Sequence, residues 1–151
     1  RAYRKHVSLG ILLFVASLLI MVENVVAAGT LGWLTDLLLG LEDYPAAVTI
    51  AGAALVAAVL SNVMNNWPAA LLLAAIIGAA PGEHEALVVG TLIGSTIGAN
   101  FTVVGSLSTV FWLSLARQHG ASYSAGRYAR LAFAPTAAGL LAACAVAAFT
   151  V

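Results

Sequence analysis

Eight residues near the middle of the chain constrain its fold most. Ser61, Asn62, Val63, Met64, Asn65, Asn66, Trp67 and Pro68 place three amides, a hydroxyl and a proline in residues 46–80, an otherwise almost wholly apolar run. Inside a bilayer no water is present to satisfy freed backbone groups. A polar break at membrane depth is therefore tolerated only where it is buried in protein or lines a wet cavity. The octapeptide reads as the tip of a broken or re-entrant helix, with a transported solute passing close to it.

Composition makes the surroundings lipid. The 151 residues are 62% hydrophobic and only 8% charged, with a mean hydropathy of +1.04. A soluble domain carries about 25% charged residues, so no water-facing surface can be built from this chain. Its apolar runs are continuous rather than alternating, which excludes a transmembrane barrel. The fold class is all-α integral membrane. The net charge is zero, but the charges are sorted. Arg1, Arg4 and Lys5 open the chain, and Arg117, Arg127 and Arg130 share one later segment. Asp36, Glu42, Asp43, Glu83 and Glu85 occupy two others, and only Glu23 lies inside an apolar run. No basic stretch interleaves with aromatics, so nucleic acid is not a partner. The single cysteine, Cys144, cannot form an intrachain disulfide. The chain opens on Arg with no signal peptide before the first apolar run, and so reads as a piece of a longer protein.

Residues 7–28 are expected to form a first span, roughly 33 Å as a helix, with the cations before it on the cytoplasmic side. Residues 29–45 repeat leucines at helical spacing (Leu34, Leu37, Leu38, Leu41) between Trp33 and Tyr44, and read as a short interfacial helix. Within 46–80 the arms 46–61 and 68–80 come to roughly 24 and 20 Å. Both fall short of the roughly 20 residues of a normal span. That suits a re-entrant hairpin, with two short full spans as the alternative. Residues 86–117 are too long for one simple span and are interrupted at Gly98-Ala99-Asn100 and Gly105-Ser106. They read as one discontinuous crossing, followed by a cytoplasmic loop at 118–130 and a last span at 131–151 that ends outside. This count puts every Lys and Arg inside and every loop acid outside, as short loops require.

Two broken helices carry the candidate chemistry. Where a helix breaks, unpaired N–H and C=O groups appear with the partial charges of the helix dipole. Such half-helix ends hold solutes and ions near the midplane of transporters. The first break adds Ser61, Asn62, Asn65 and Asn66, with Asn66 or Trp67 expected at the cap and Pro68 in the first turn. The second adds Gly98, Asn100, Thr102, Gly105 and Ser106. A single Asn in a membrane helix is more often a packing hydrogen bond. The cluster argues for a site, because so many polar groups need satisfying together. Gly90 and Gly94 read as helix packing. Neutral amides and hydroxyls suit a polyol-like, oxyanionic or weakly charged solute. Glu23 is the candidate for proton coupling, with an interfacial or packing role as its alternative. His6, His84 and His119 show no metal-ligand spacing, and no nucleotide loop or catalytic motif is present. No enzyme activity, metal or cofactor is expected.

The run Ser61-Asn62-Val63-Met64-Asn65-Asn66-Trp67-Pro68-Ala69-Ala70, with the later run from Gly98 through Gly-Ser-Leu-Ser-Thr to Trp112 and Leu113, resembles the C-terminal half of the arsenical pump membrane proteins. These belong to the ion transporter superfamily. The order of elements is similar over nearly all of the chain. Trp67 stands where the family usually has Leu, and Ala99 where it often has Pro. The resemblance implies one of two inverted repeats and proton-coupled efflux of arsenite or antimonite across the plasma or inner membrane. The partners it implies are arsenite, antimonite or a small anion, a proton or sodium ion for coupling, the N-terminal repeat of the same protein and the lipid bilayer. A partner ATPase in some organisms and a second copy in a homodimer complete that set. The rivals are a citrate, dicarboxylate or sodium/proton carrier of the same superfamily and, from another class, a non-transporting membrane scaffold.

Overall fold

A computed structural model describes residues 13, 16, 17, 20–22, 24, 25, 27–29, 31–121 and 123–151. Glu23 and most of the expected first span lie outside the described residues. The described elements are helical throughout. They are α1 (Gly32–Leu39) with a 3-10 turn (Gly40–Asp43), α2 (Ala46–Met64), α3 (Asn66–Ala79), α4 (Glu85–Thr96) with a 3-10 turn (Gly98–Phe101), α5 (Leu107–Gln118) and α6 (Ala125–Ala147). By length and composition α2 and α6 can each cross a membrane, while α3 is a shorter apolar helix.

Two boundaries differ from the expected ones. The first arm does not stop at Ser61. The helix runs through Ser61, Asn62 and Val63 to Met64, so α2 has 19 residues, roughly 28 Å. Asn62 does not break it, because its amide donates back to the Ala58 carbonyl one turn earlier (2.8 Å) and across to another helix. The last helix starts at Ala125 rather than 131, where the Ser124 hydroxyl caps the Arg127 N–H (3.2 Å).

Glycines set the central packing. A methyl on Gly90 would meet the Ile50 carbonyl, one on Gly94 the Ala54 carbonyl, and one on Gly98 the Cβ of Ala58. Each glycine thus meets a residue forty positions earlier, so α2 and α4 run parallel with their backbones nearly touching. Small residues permit this approach, which is how helices pack where lipid removes the hydrophobic drive. α3 runs back in the opposite direction and packs against both. Leu34 and Leu38 of α1 are fully buried against Ala57, Leu72, Leu73 and Ile76. α6 packs on the second 3-10 turn, with Phe133 and Phe101 ring centroids 5.4 Å apart.

One ion pair ties the loops at the far end. The His84 ring contacts both carboxylate oxygens of Glu42 through Nδ1, at 2.8 and 2.9 Å. It joins the α3–α4 loop to the turn after α1. Glu42 is partly exposed, so Glu42→Gln is expected to cost only about 1 kcal/mol. The readout is a small fall in melting temperature of the purified protein. A fall as large as that of a core substitution would show that the pair holds the fold.

Candidate functional site: two facing helix breaks

The first break is one residue long. Asn65 alone separates α2 from α3, at φ 78° and ψ 153°, the one non-glycine residue with positive φ among those described. This combination lies outside the left-handed helical region that asparagine tolerates and is populated almost only by glycine, so the break holds Asn65 in a strained backbone conformation. Asn65, rather than Asn66 or Trp67, is the cap of α3, with its Oδ1 accepting the Trp67 N–H (3.4 Å). Pro68 then falls in the first turn, where its missing N–H has no partner to lose.

Because α2 and α4 are parallel, their ends arrive at one level, and four hydrogen bonds staple them. Asn62 Nδ2 donates to the Gly98 carbonyl (2.8 Å), and Asn62 Oδ1 accepts the Thr102 N–H (2.9 Å). Asn65 Nδ2 donates to the Val104 carbonyl (3.1 Å), and the Asn66 N–H to the Gly105 carbonyl (2.9 Å). Gly105 is buried where a Cβ would strike the Ala99 carbonyl and stand 2.8 Å from Asn62 Oδ1.

The staples leave three oxygen atoms over. Ser61 Oγ, Asn66 Oδ1 and Thr102 Oγ1 are buried and have no hydrogen-bond partner. Buried polar groups are normally paired, and each orphan costs about 1–3 kcal/mol. Beside Asn62 and Thr102 lies a cavity of about 300 Å³, otherwise lined by Leu55, Ala58, Val59, Val63 and Phe101. At the second break Ser106 begins α5 without capping it through its side chain. The first-turn N–H groups there carry the positive end of a helix dipole. No side chain in this group is charged, so the site offers hydroxyls, amides and backbone dipoles.

Of the nine sequence-derived solute residues, Asn62, Asn65, Asn66, Gly98, Thr102 and Gly105 are joined by these bonds. Asn100 is turned elsewhere, with Nδ2 donating to the Thr96 and Ile97 carbonyls of its own helix end, both at 3.1 Å. Ser61 is inside α2 and wholly buried. The carbonyls of Ala58, Gly98, Val104 and Gly105 are functional groups that residue type cannot announce, since every residue carries one. The alternation of Gly90, Gly94 and Gly98 was the one signal of which helix would meet α2.

A family model described as arsenical pump membrane protein matches residues 2–148. Among curated proteins, an arsenical pump membrane protein of Escherichia coli is 29% identical over 123 residues, covering 80% of this chain and 29% of that protein. Its counterpart in Escherichia coli K12 is 31% identical over the same coverage. A putative arsenical pump membrane protein of Bacillus subtilis is 32% identical over 73 residues, 46% of this chain and 16% of that protein. The chain spans less than a third of the length of these relatives. No solved structure matches it significantly.

Proposed function

The chain belongs to the arsenical pump membrane protein family, and on that premise we propose that it forms one repeat of a membrane transporter exporting arsenite or antimonite. The solute sits where the two breaks meet. The observation that carries this reading is the set of three buried, unpartnered oxygens, Ser61 Oγ, Asn66 Oδ1 and Thr102 Oγ1, beside the four hydrogen bonds that join the breaks. Arsenite as an uncharged trihydroxide can donate to such oxygens and accept from the N–H groups at a helix start.

We read the return of α3 directly after the one-residue break as a re-entrant hairpin that enters and leaves on one side. The length of α2 keeps a full crossing as the alternative. In this reading the N-terminal repeat of the whole pump closes the site from the other face, and Glu23 carries the coupling proton. The charge sort supports a cytoplasmic start and an outer C-terminus.

Removing the orphan oxygens separates transport from folding. Ser61→Ala and Thr102→Val delete hydroxyls that bond nothing in the protein, so abundance and melting temperature of the full-length pump are expected to hold or rise. Arsenite uptake into everted vesicles is expected to fall about tenfold, the equivalent of one lost hydrogen bond of roughly 1.4 kcal/mol to the solute. Undiminished uptake by both variants and by Asn66→Ala would refute the site.

A further inference from the structure

Among the described residues, the three arginines in the second half of the chain make no ion pair. No Asp or Glu occurs after Glu85, and among the described residues the one ion pair is that of His84 with Glu42. Arg117, Arg127 and Arg130 are all exposed. In linear order this segment shows no basic stretch interleaved with aromatics, but the fold assembles one. The turn from α5 into α6 brings Trp112 to 5.8 Å from the Tyr123 ring and 6.5 Å from the Tyr128 ring. The Arg127 guanidinium carbon lies 5.2 Å from the Tyr123 centroid. Against these rings Ser108, Thr109, Trp112 and Tyr128 line a cavity of about 310 Å³. On the same two helices Phe111, Leu115, Leu131 and Phe133 stand exposed.

We propose that this cavity, with Arg127 stacked beside it on Tyr123, holds the headgroup of an anionic phospholipid. A guanidinium presents a planar fork of donors that matches phosphate, and stacking on Tyr123 orients it in advance. Trp112, Tyr123 and Tyr128 are the residue types that settle at headgroup level. Ser108 and Thr109 supply hydroxyls for phosphate or glycerol oxygens, and the exposed Phe and Leu side chains supply an apolar track for the acyl chains. Arginines near a membrane surface attract anionic lipid. The site is apart from the helix breaks, and it rests on the membrane location of the family rather than on the solute.

The test uses the full-length pump in bilayer nanodiscs of phosphatidylcholine with and without phosphatidylglycerol, released and counted by native mass spectrometry. The wild type is expected to retain phosphatidylglycerol in preference to phosphatidylcholine. That preference is expected to fall about fivefold in Arg127→Gln and further in the double variant with Arg130→Gln. Arg127→Lys, which keeps the charge but not the fork, is expected to fall between. Equal retention of the two lipids by the wild type, or an unchanged preference in the double variant, overturns the proposal. Release of the retained lipid by inorganic phosphate alone would make this a site for free anions and overturn it as well.

Discussion

Asn62→Ala is expected to damage this protein more than any other single change at the breaks. The side chain makes three hydrogen bonds, to the Ala58 and Gly98 carbonyls and from the Thr102 N–H. Two of them cross between helices. Alanine leaves the Gly98 carbonyl and the Thr102 N–H without partners in a half-buried place, at about 1–3 kcal/mol each. A total near 3 kcal/mol would lower the melting temperature of the full-length pump clearly and abolish transport, since the second break would no longer be held against the first. Asn62→Asp sharpens the test, because it keeps the shape and the acceptor for Thr102. Its second oxygen would face two carbonyls in place of the donor, so at neutral pH it is expected to be at least as harmful as alanine. A wild-type melting curve for both variants would show that the staple contributes nothing.

Gly94→Ala is expected to come second. A methyl there would overlap the Ala54 carbonyl oxygen and lie 2.7 Å from its carbon and 2.8 Å from Ala54 Cα. All three are backbone atoms of α2, so no side chain can rotate aside. The helices must separate, and overpacking of this kind costs about 1–3 kcal/mol. Separation also shifts α4 against α2 and pulls on the hydrogen bonds that join the breaks, so transport is expected to fall further than stability. Gly78→Ala in α3 is the control. Nothing lies within 4 Å of its added methyl, and helix propensity favours alanine by up to about 1 kcal/mol. Melting temperature and vesicle transport measured side by side check both. Equal behaviour of Gly94→Ala and Gly78→Ala would mean that the close approach of α2 and α4 is not required.

Several features of the site were legible in the residues themselves. Asn62, Asn65 and Asn66 stand out because nothing near them in the chain is polar enough to explain them, and Gly98 and Gly105 because a break needs room. The extent of the first break was not legible. Ser61 and Asn62 look like loop residues next to Asn65, yet they stay helical, since Asn62 finds a carbonyl one turn back and another on α4. Asn100 looked equivalent to Asn62, but its amide folds onto its own helix end. His84 and Glu42 meet across forty-two positions, and the arginine–aromatic cluster forms only where α5 turns into α6.

Alone, the sequence determined the class of this protein and the positions of its interruptions. A chain with 62% hydrophobic and 8% charged residues can only hide in lipid, and a polar cluster deep in an apolar run marks the neighbourhood of a helix interruption. Tertiary structure decided which polar atoms are consumed and which are left. The parallel packing of α2 on α4 sets Asn62 opposite Gly98 and Thr102, and Asn65 opposite Val104, so those amides are spent on the fold. Ser61, Asn66 and Thr102 keep oxygens with no partner. Residue type lists what a side chain can bond, but a bond needs its partner within about 3 Å, and only the docking of distant helices supplies that.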